Sequence, residues 1–423
     1  MSRLVSLIRS IKLRVSSIFE IILYWVLSYN ARVDKNALFF VPHGGAMDDA
    51  YSLMNGNSDN ALSLANYIIR QYGNKFRYYI AVHYFEKKTI QNEIGRIYPN
   101  LNIICVPYLF KGISDQKLIR ETKLACYKEV VRNVGYIFSS ETLSFPCKSK
   151  NQELIYLGYY IPFKRDYGVF NYDFKAYRLY DYWITTSLLS SQIISLTYDI
   201  PINKFYSLGF SRNDSLFNSK DKRSLILERF QNVVDYDIRK ILLYTPTHRD
   251  YEEHEHNASR EILGFDIEYA KLEHLLKEQN AVIICKIHSK QNKEVLANIL
   301  PKGVLIHEPN EEYGLCELLS SSDILITDYT STYFDFLLLN KPVIFNFYDY
   351  DRYNSIRGFS YDPLESIIAG DVFTDGISFL DVLEKTLSGN DVWDYKRKFV
   401  RDMMHKFRDN NSSKRICNFI FNA

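Results

Sequence analysis

Short apolar, β-rich runs alternate with amphipathic stretches through most of this chain, and they fall into two series. The first reads ALFFV (37–41), YYIAV (78–82), NIICV (102–106), GYIFS (135–139), LIYLG (154–158) and YWITT (182–186). The second reads ILLYT (241–245), AVIIC (281–285), VLIH (304–307), DILIT (323–327) and PVIFN (342–346). Between them lie helix-like segments such as 59–72 and 117–132. Continuous apolar strands separated by helices imply parallel sheets covered on both faces. At 423 residues the chain is too long for one typical core. Two series therefore predict two doubly wound α/β domains, over 31–220 and 221–390, with a break near the charged segment 215–237. The tail, 391–423, reads as helices. In such sheets ligands sit at the C-terminal ends of the strands.

Composition narrows the function. The 52 basic and 50 acidic residues leave a net charge of +2, which gives no basis for nucleic-acid binding. The 34 Tyr beside 27 Phe suit half-buried surfaces and sugar-like ligands, although an AT-rich genome would give the same bias. Cys105, Cys126, Cys147, Cys285, Cys316 and Cys417 lie far apart, without metal-ligand or redox spacing, so a reducing setting and no disulfide framework are expected. Nothing in the sequence specifies an oligomeric state.

Residues 1–30 form a segment apart. Arg3, Arg9, Lys12 and Arg14 precede any acid, and Leu4, Leu7, Ile8, Ile11 and Val15 recur at helical spacing. The uninterrupted apolar run, 21–27, is far shorter than the ~20 residues that span a bilayer. No small-residue cleavage site follows, which argues against a signal peptide. The pattern predicts an amphipathic helix over 1–29 lying on an anionic membrane surface, or else docked on the protein's own core.

Four strand ends carry chemistry. At 324–339 a strand runs into Asp328 and Tyr329, then Thr330, Ser331 and Thr332, then a helix-like stretch. Hydroxyls and free backbone N–H groups at such a turn suit a diphosphate, and equally suit plain N-capping. After 241–245 come Thr247, His248, Arg249 and Asp250, where Arg offers a bidentate phosphate contact or a surface ion pair. After 281–285 come Lys286 and His288, the histidine a phosphate ligand, an acid or base, or a packed strand-end residue. After a strand ending at Gly209 come Arg212, Asn213 and Asp214, a turn before a helix that Asn213 or Asp214 could simply cap. The cluster HRDYEEHEH (248–256) reads as a solvated loop rather than a metal site.

Taken in this order, these segments resemble the CDP-glycerol glycerophosphotransferase family of teichoic-acid polymerases and primases. The family's Thr-Trp-Arg-Asp is matched by Thr247 to Asp250, and its Lys-x-His-Pro by Lys286, Ile287 and His288, with Ser289 in place of Pro. Its Thr-Asp-Tyr-Ser-Ser is matched by Thr327 to Ser331, followed by Phe334-Asp335 and Lys341-Pro342. Its Arg-Gly-Phe is Arg357-Gly358-Phe359, its Gly-x-Pro-Arg-Asn-Asp is Gly209 to Asp214, and its Asp-Asn element resembles Asp59-Asn60. The resemblance covers roughly 150–365. It implies a GT-B type fold, two Rossmann-like domains facing a cleft, with the C-terminal helices of 391–423 packing back on the first domain. It also implies transfer of a polyol phosphate, glycerol phosphate first, from a CDP-polyol to a hydroxyl of a lipid-linked or polymeric envelope glycan, with release of CMP. The protein would work peripherally on the cytoplasmic face of the membrane, with no cofactor and no metal.

One departure stands out. The family's His-Gly-Thr-Pro-x-Lys carries its usual base candidate, and here the stretch is Tyr159-Tyr160-Ile161-Pro162-Phe163-Lys164. A tyrosine of pKa about 10 is a poor base at neutral pH. Either another residue serves, His43 of VPHGG being the favoured candidate, or the transfer relies on positioning and charge stabilisation, or the acceptor or activity differs. The expected site therefore comprises His43, His288 and Arg249 as catalytic residues and Thr247, Lys286, Asp328, Thr330, Ser331, Thr332 and Arg357 around the donor. Tyr159, Lys164, Arg212, Asn213 and Asp214 would serve the acceptor or clamp phosphate. The rival readings are a glycosyltransferase using a nucleotide sugar and a non-catalytic binding protein.

Overall fold

The computed structural model describes residues 21–43, 59–110, 113–143, 145, 147–166, 175–217, 220–247, 266–286, 300–307 and 314–422. The chain divides into two compact units. The first takes residues up to 159 together with 168–184 and 195–206, and the second takes 160–167, 185–194 and everything from 207.

The first sheet has seven strands: β1 (Asp34–Val41), β2 (Arg77–His83), β3 (Ile103–Leu109), β4 (Val134–Ser139), β5 (Glu153–Tyr156), β6 (Tyr182–Thr185) and β7 (Phe205–Ser207). Their spatial order is β3-β2-β1-β4-β5-β6-β7, and the pairings from β3 to β6 are parallel. The second has β8 (Lys240–Thr245), β9 (Ala281–Cys285), β10 (Val304–Ile306), β11 (Ile324–Thr327), β12 (Val343–Asn346) and β13 (Asp371–Phe373). Its order is β10-β9-β8-β11-β12-β13, parallel throughout. Each sheet thus reverses its winding once, between β1 and β4 and between β8 and β11.

Alternation along a strand sends neighbours to opposite faces. Ile241 and Leu243 of β8 enter one apolar cluster with Tyr329, Phe334 and Val400, while Leu242 and Tyr244 enter another with Leu272, Ile326 and Phe379. Both faces are covered, which is why these strands read as unbroken apolar runs. The eleven expected strands all form, and the strand read as ending at Gly209 ends at Ser207.

The unit boundary differs from the expected one. Residues 207–217 cluster with the second unit because Arg212 and Asn213 bond Asp335 there. The last helix, Ser412–Phe421, does return to this segment: Asp214 accepts the Ser412 and Ser413 N–H groups, each at 2.8 Å. It therefore packs on residues that sequence assigned to the first domain but that fold with the second.

Residues 21–29 are helical and docked in the first unit through Tyr24, edge-on to Tyr127 at 4.6 Å, and through Arg132, which donates to the Leu27 carbonyl. Ile21, Ile22, Leu23, Trp25, Val26 and Tyr29 are exposed. The rest of the expected surface helix lies outside the described residues. Among those described, no helix is long and apolar enough to cross a membrane. None of the six cysteines is in a disulfide.

Candidate functional site

Each winding reversal opens a gap at the C-terminal strand ends, the place where such sheets bind ligands. In the second unit β8 and β11 are in register, Thr245 opposite Thr327, with their hydroxyls 3.1 Å apart. The loops beyond them are tied together at once. The Thr247 N–H donates to both Asp328 carboxylate oxygens, at 3.0 and 2.9 Å, and the Thr247 hydroxyl donates to Oδ1 at 2.7 Å. Asp328 is buried and braces the two loops.

Thr330, Ser331 and Thr332 follow, all half-buried. The helix after them, Thr332–Leu337, is only six residues long, and Ser331 gives it no side-chain cap. Thr330 Oγ1 instead lies 3.2 Å from Thr332 Oγ1 and accepts the Thr332 N–H at 3.4 Å. A short helix contributes little field, so any anion here rests on the hydroxyls and turn N–H groups. Beneath the turn Tyr329 is buried, stacked on Tyr353 at 4.2 Å and near Phe359 at 5.3 Å, and its hydroxyl bonds Asp349.

Two expected cations join this scaffold by backbone pairing. Lys164 forms an antiparallel bridge with Phe359, and Arg165 N–H donates to the Gly358 carbonyl at 3.0 Å. The Ser360 hydroxyl donates to the Lys164 carbonyl at 2.9 Å. Lys164 Nζ lies 6.0 Å from the Tyr353 ring centroid, and Arg357 is exposed on the same paired loop. Gly358 sits at φ +67°, so a side chain there would be strained, and its Cβ would meet the Arg165 guanidinium carbon at 3.5 Å. Lys286 stands directly after β9, its N–H on the Tyr244 carbonyl.

Three expected clamp residues have other work. Arg212 is buried and pairs with Asp335 at 2.8 Å, and Asn213 Nδ2 donates to the same carboxylate at 2.9 Å. Asp214 caps the last helix, with burial pushing its carboxyl above the usual range against the Ser412 and Ser413 hydrogen bonds. The Gly-to-Asp segment therefore braces the helix that follows the hydroxyl turn. His405 joins it, Nε2 donating to the Phe334 carbonyl at 2.8 Å, and burial lowers its pKa below the ordinary histidine value. Arg249 and His288, with the 248–256 cluster, lie outside the described residues. Among the described residues no group of His, Cys, Asp and Glu forms a metal site.

In the first unit Val41 of β1 is in register with Ser139 of β4. His43 and Glu141, each two residues further on, reach the same level. The His43 N–H donates to Asp59 Oδ2 at 3.0 Å, while Asp59 Oδ1 caps the helix Asn60–Tyr72 through Ala61 and Leu62 N–H. Burial raises the Asp59 carboxyl pKa in spite of these bonds. Asn60 donates to the Leu157 and Gly158 carbonyls, fixing the loop that carries Tyr159. His43 and Tyr159 rings lie 4.4 Å apart at 34°, and His43 Nε2 is 3.4 Å from Glu141 Oε1. Sequence missed Glu141. Its one signal was its position two residues after the apolar run 135–139.

Comparison with known proteins agrees with these observations. The family described as CDP-Glycerol:Poly(glycerophosphate) glycerophosphotransferase matches residues 50–422. A teichoic acid glycerol-phosphate primase of Bacillus subtilis (strain 168) is 32% identical over 248 residues, 59% of this chain and 59% of that protein. A teichoic acid poly(ribitol-phosphate) polymerase of Bacillus spizizenii is 26% identical over 62% of this chain and 42% of that protein. The matched stretches thus span about three fifths or less of these relatives' lengths. The solved structure of the wall teichoic acid polymerase TagF soaked with CDPG has TM-score 0.68 and 20% identity, covering 99% of this chain and 98% of that one, a likeness of fold.

Proposed function

The chain belongs to the CDP-glycerol:poly(glycerophosphate) glycerophosphotransferase family, and we propose that it transfers a polyol phosphate, glycerol phosphate first, from a CDP-polyol to a hydroxyl of a lipid-linked or polymeric envelope glycan. The observation that carries this reading is the turn at the β8/β11 reversal. There the Thr247–Asp328 brace fixes Thr330, Ser331 and Thr332 beside a loop pair bearing Lys164 and Arg357. Preorganised hydroxyls, turn N–H groups and cations are what phosphoryl transfer needs, since its catalysis is mostly positioning and charge stabilisation. Arg249 and His288 would add to that positive field from the loops after β8 and β9. The acceptor hydroxyl would attack the β-phosphorus, forming a new P–O bond while the bond to the CMP oxygen breaks. His43 would take the hydroxyl proton, in place of the residue that Tyr159 replaces.

The exposed Ile21, Ile22, Leu23, Trp25, Val26 and Tyr29 support peripheral attachment to an anionic membrane, continuous with the basic segment before them. The cytoplasmic face fits that charge, where anionic lipid is concentrated. Incubation with CDP-glycerol, CDP-ribitol and UDP-sugars, following CMP or UDP release, tests the activity. CMP release with a CDP-polyol is expected, whereas UDP release alone would make the protein a glycosyltransferase. Tyr159 keeps one rival in play, a binding protein without turnover. CDP-glycerol binding with no CMP release at any acceptor concentration would establish that rival.

A further inference from the structure

Residues 160–167 lie in the first half of the chain, yet they fold with the second unit. Three backbone contacts seat them there. Lys164 forms an antiparallel bridge with Phe359, the Ser360 N–H donates to the Phe163 carbonyl at 2.9 Å, and the Arg165 N–H donates to the Gly358 carbonyl at 3.0 Å. A side-chain bond tightens the pair, the Ser360 hydroxyl donating to the Lys164 carbonyl at 2.9 Å. Between these bonds Phe163 enters the core, 1% exposed, its ring centroid 5.4 Å from that of Phe334, 6.0 Å from Phe359 and 6.2 Å from Tyr333. Tyr333 and Phe334 belong to the helix Thr332–Leu337, which starts at the hydroxyl turn. Neighbours on an extended segment point to opposite sides, so burying Phe163 turns Lys164 outward. Lys164 Nζ lies 6.0 Å from the Tyr353 ring centroid, Tyr353 stacks on Tyr329 at 4.2 Å, and Tyr329 directly precedes Thr330. One aromatic scaffold thus carries both the ammonium and the three hydroxyls.

We propose that Phe163 is a positioning residue for Lys164, and that Lys164 serves the donor's diphosphate, with Thr330, Ser331 and Thr332, rather than the acceptor. This deepens the transfer reading above and rests on it. Phe163 is buried and acts only through the backbone it anchors. A lysine is a point charge on a flexible four-carbon stem, so its place in a phosphate site depends on how that stem is held. Phe163 and Ser360 fix the Lys164 backbone, and the face of the Tyr353 ring attracts the ammonium and restrains the tail. The cation then stands in place before the donor arrives, and less freedom is lost on binding. Every residue in this arrangement lies in the second unit, so the donor side is complete within it although its parts are distant in sequence.

The test follows CMP release, titrating CDP-glycerol and a soluble acceptor analogue separately, for Lys164→Met, Phe163→Leu, Ser360→Ala and the doubles that combine each of the last two with Lys164→Met. Hydrogen exchange of the Val343–Asn346 amides checks the fold of the second unit. Lys164→Met should raise the KM for CDP-glycerol on the order of tenfold or more, as loss of a hydrogen bond to a charged group does, and leave the acceptor KM unchanged. Phe163→Leu and Ser360→Ala should each raise the donor KM severalfold, with a smaller change in kcat. In the Lys164→Met background neither should raise it further, because residues that act through one group are not additive. Equal factors with and without Lys164 would overturn the positioning role, since a merely structural anchor weakens the site whether or not the lysine is present. A Lys164→Met variant that alters only the acceptor KM, or neither KM, would overturn the donor-side assignment. If Phe163→Leu loses exchange protection, Ser360→Ala, which keeps the backbone pairing, carries the same comparison. Wild-type protein that neither binds nor turns over CDP-glycerol would overturn the transfer reading and this inference with it; wild-type turnover with additive doubles would overturn this inference alone.

Discussion

Asp335→Ala should weaken the second unit far more than its size suggests, because it strands a buried cation. Arg212 and Asp335 side chains are 10% and 5% exposed and 2.8 Å apart. Removing one member of such a pair costs about 3–5 kcal/mol, mostly for the charge left behind. Asn213 loses the acceptor of its 2.9 Å bond as well, roughly another 1 kcal/mol. Its Oδ1 already lacks a hydrogen-bond partner, so that side chain has little to fall back on. Allowing for water entry, about 4 kcal/mol in all is expected, near three decades in an opening equilibrium at about 1.4 kcal/mol per decade.

Hydrogen exchange is the right assay, since two units need not unfold in one step. The slowest amides of Leu325–Thr327 and Val343–Asn346 should exchange about 10³-fold faster in Asp335→Ala. The double variant Arg212→Met/Asp335→Leu should recover most of that protection, because apolar replacement of a buried pair is often near neutral. Less than tenfold acceleration in the single variant, or no recovery in the double, would refute the bracing role. If Arg212 were a phosphate clamp instead, its loss would cut turnover and leave these amides untouched.

Other outcomes follow from the same geometry. Arg249→Ala and His288→Ala should each cut CMP release strongly while circular dichroism stays unchanged; unaltered release in both would discard the donor-side assignment. Thr247→Val removes a 2.7 Å hydroxyl bond to buried Asp328 and should raise the KM for CDP-glycerol roughly tenfold, equivalent to about 1.4 kcal/mol, as read by CMP release over a donor titration. His405, with its pKa held below 6.5 by burial, contributes stability that is present above pH 6.5 and lost as pH falls through its folded pKa; His405→Gln should flatten that slope in pH-dependent exchange of the same amides. Deleting residues 2–29 should abolish flotation with vesicles of anionic lipid and leave CMP release on a soluble acceptor analogue largely intact; a truncated protein that still floats would defeat the surface-helix reading.

The strands were legible because both sheets bury both faces, which turns each strand into an unbroken apolar run. Only β13, Asp371–Phe373, escaped, being three residues with one exposed valine and too short to show a period. The expected helix 117–132 is a helix Gln116–Cys126 closed by a π-helical turn Tyr127–Val131, a distinction that side-chain spacing does not encode. Site residues were legible by type and order, less so by role. Asp328 and Arg212 were read as ligand-facing from the family's motifs, and Asp214 either so or as a helix cap. Burial instead gives each a protein partner, and burial depends on segments 80 to 200 residues away in the chain. Glu141 was invisible for the converse reason: it belongs to no motif, and only the β1/β4 register brings it to His43.

The two reversals solve the same problem with opposite solvation, and that contrast bears on what each one binds. At β8/β11 the carboxylate of Asp328 is 1% exposed and takes three hydrogen bonds from one residue, so its loops are fixed before any ligand arrives. Fixed dipoles avoid reorganisation when charge develops. At β1/β4 the carboxylate of Glu141 and the ring of His43 keep about a third of their surface in water. A contact so exposed adds little to stability. Under the transfer proposed above, the fixed turn would take the diphosphate and the solvated strand ends the acceptor.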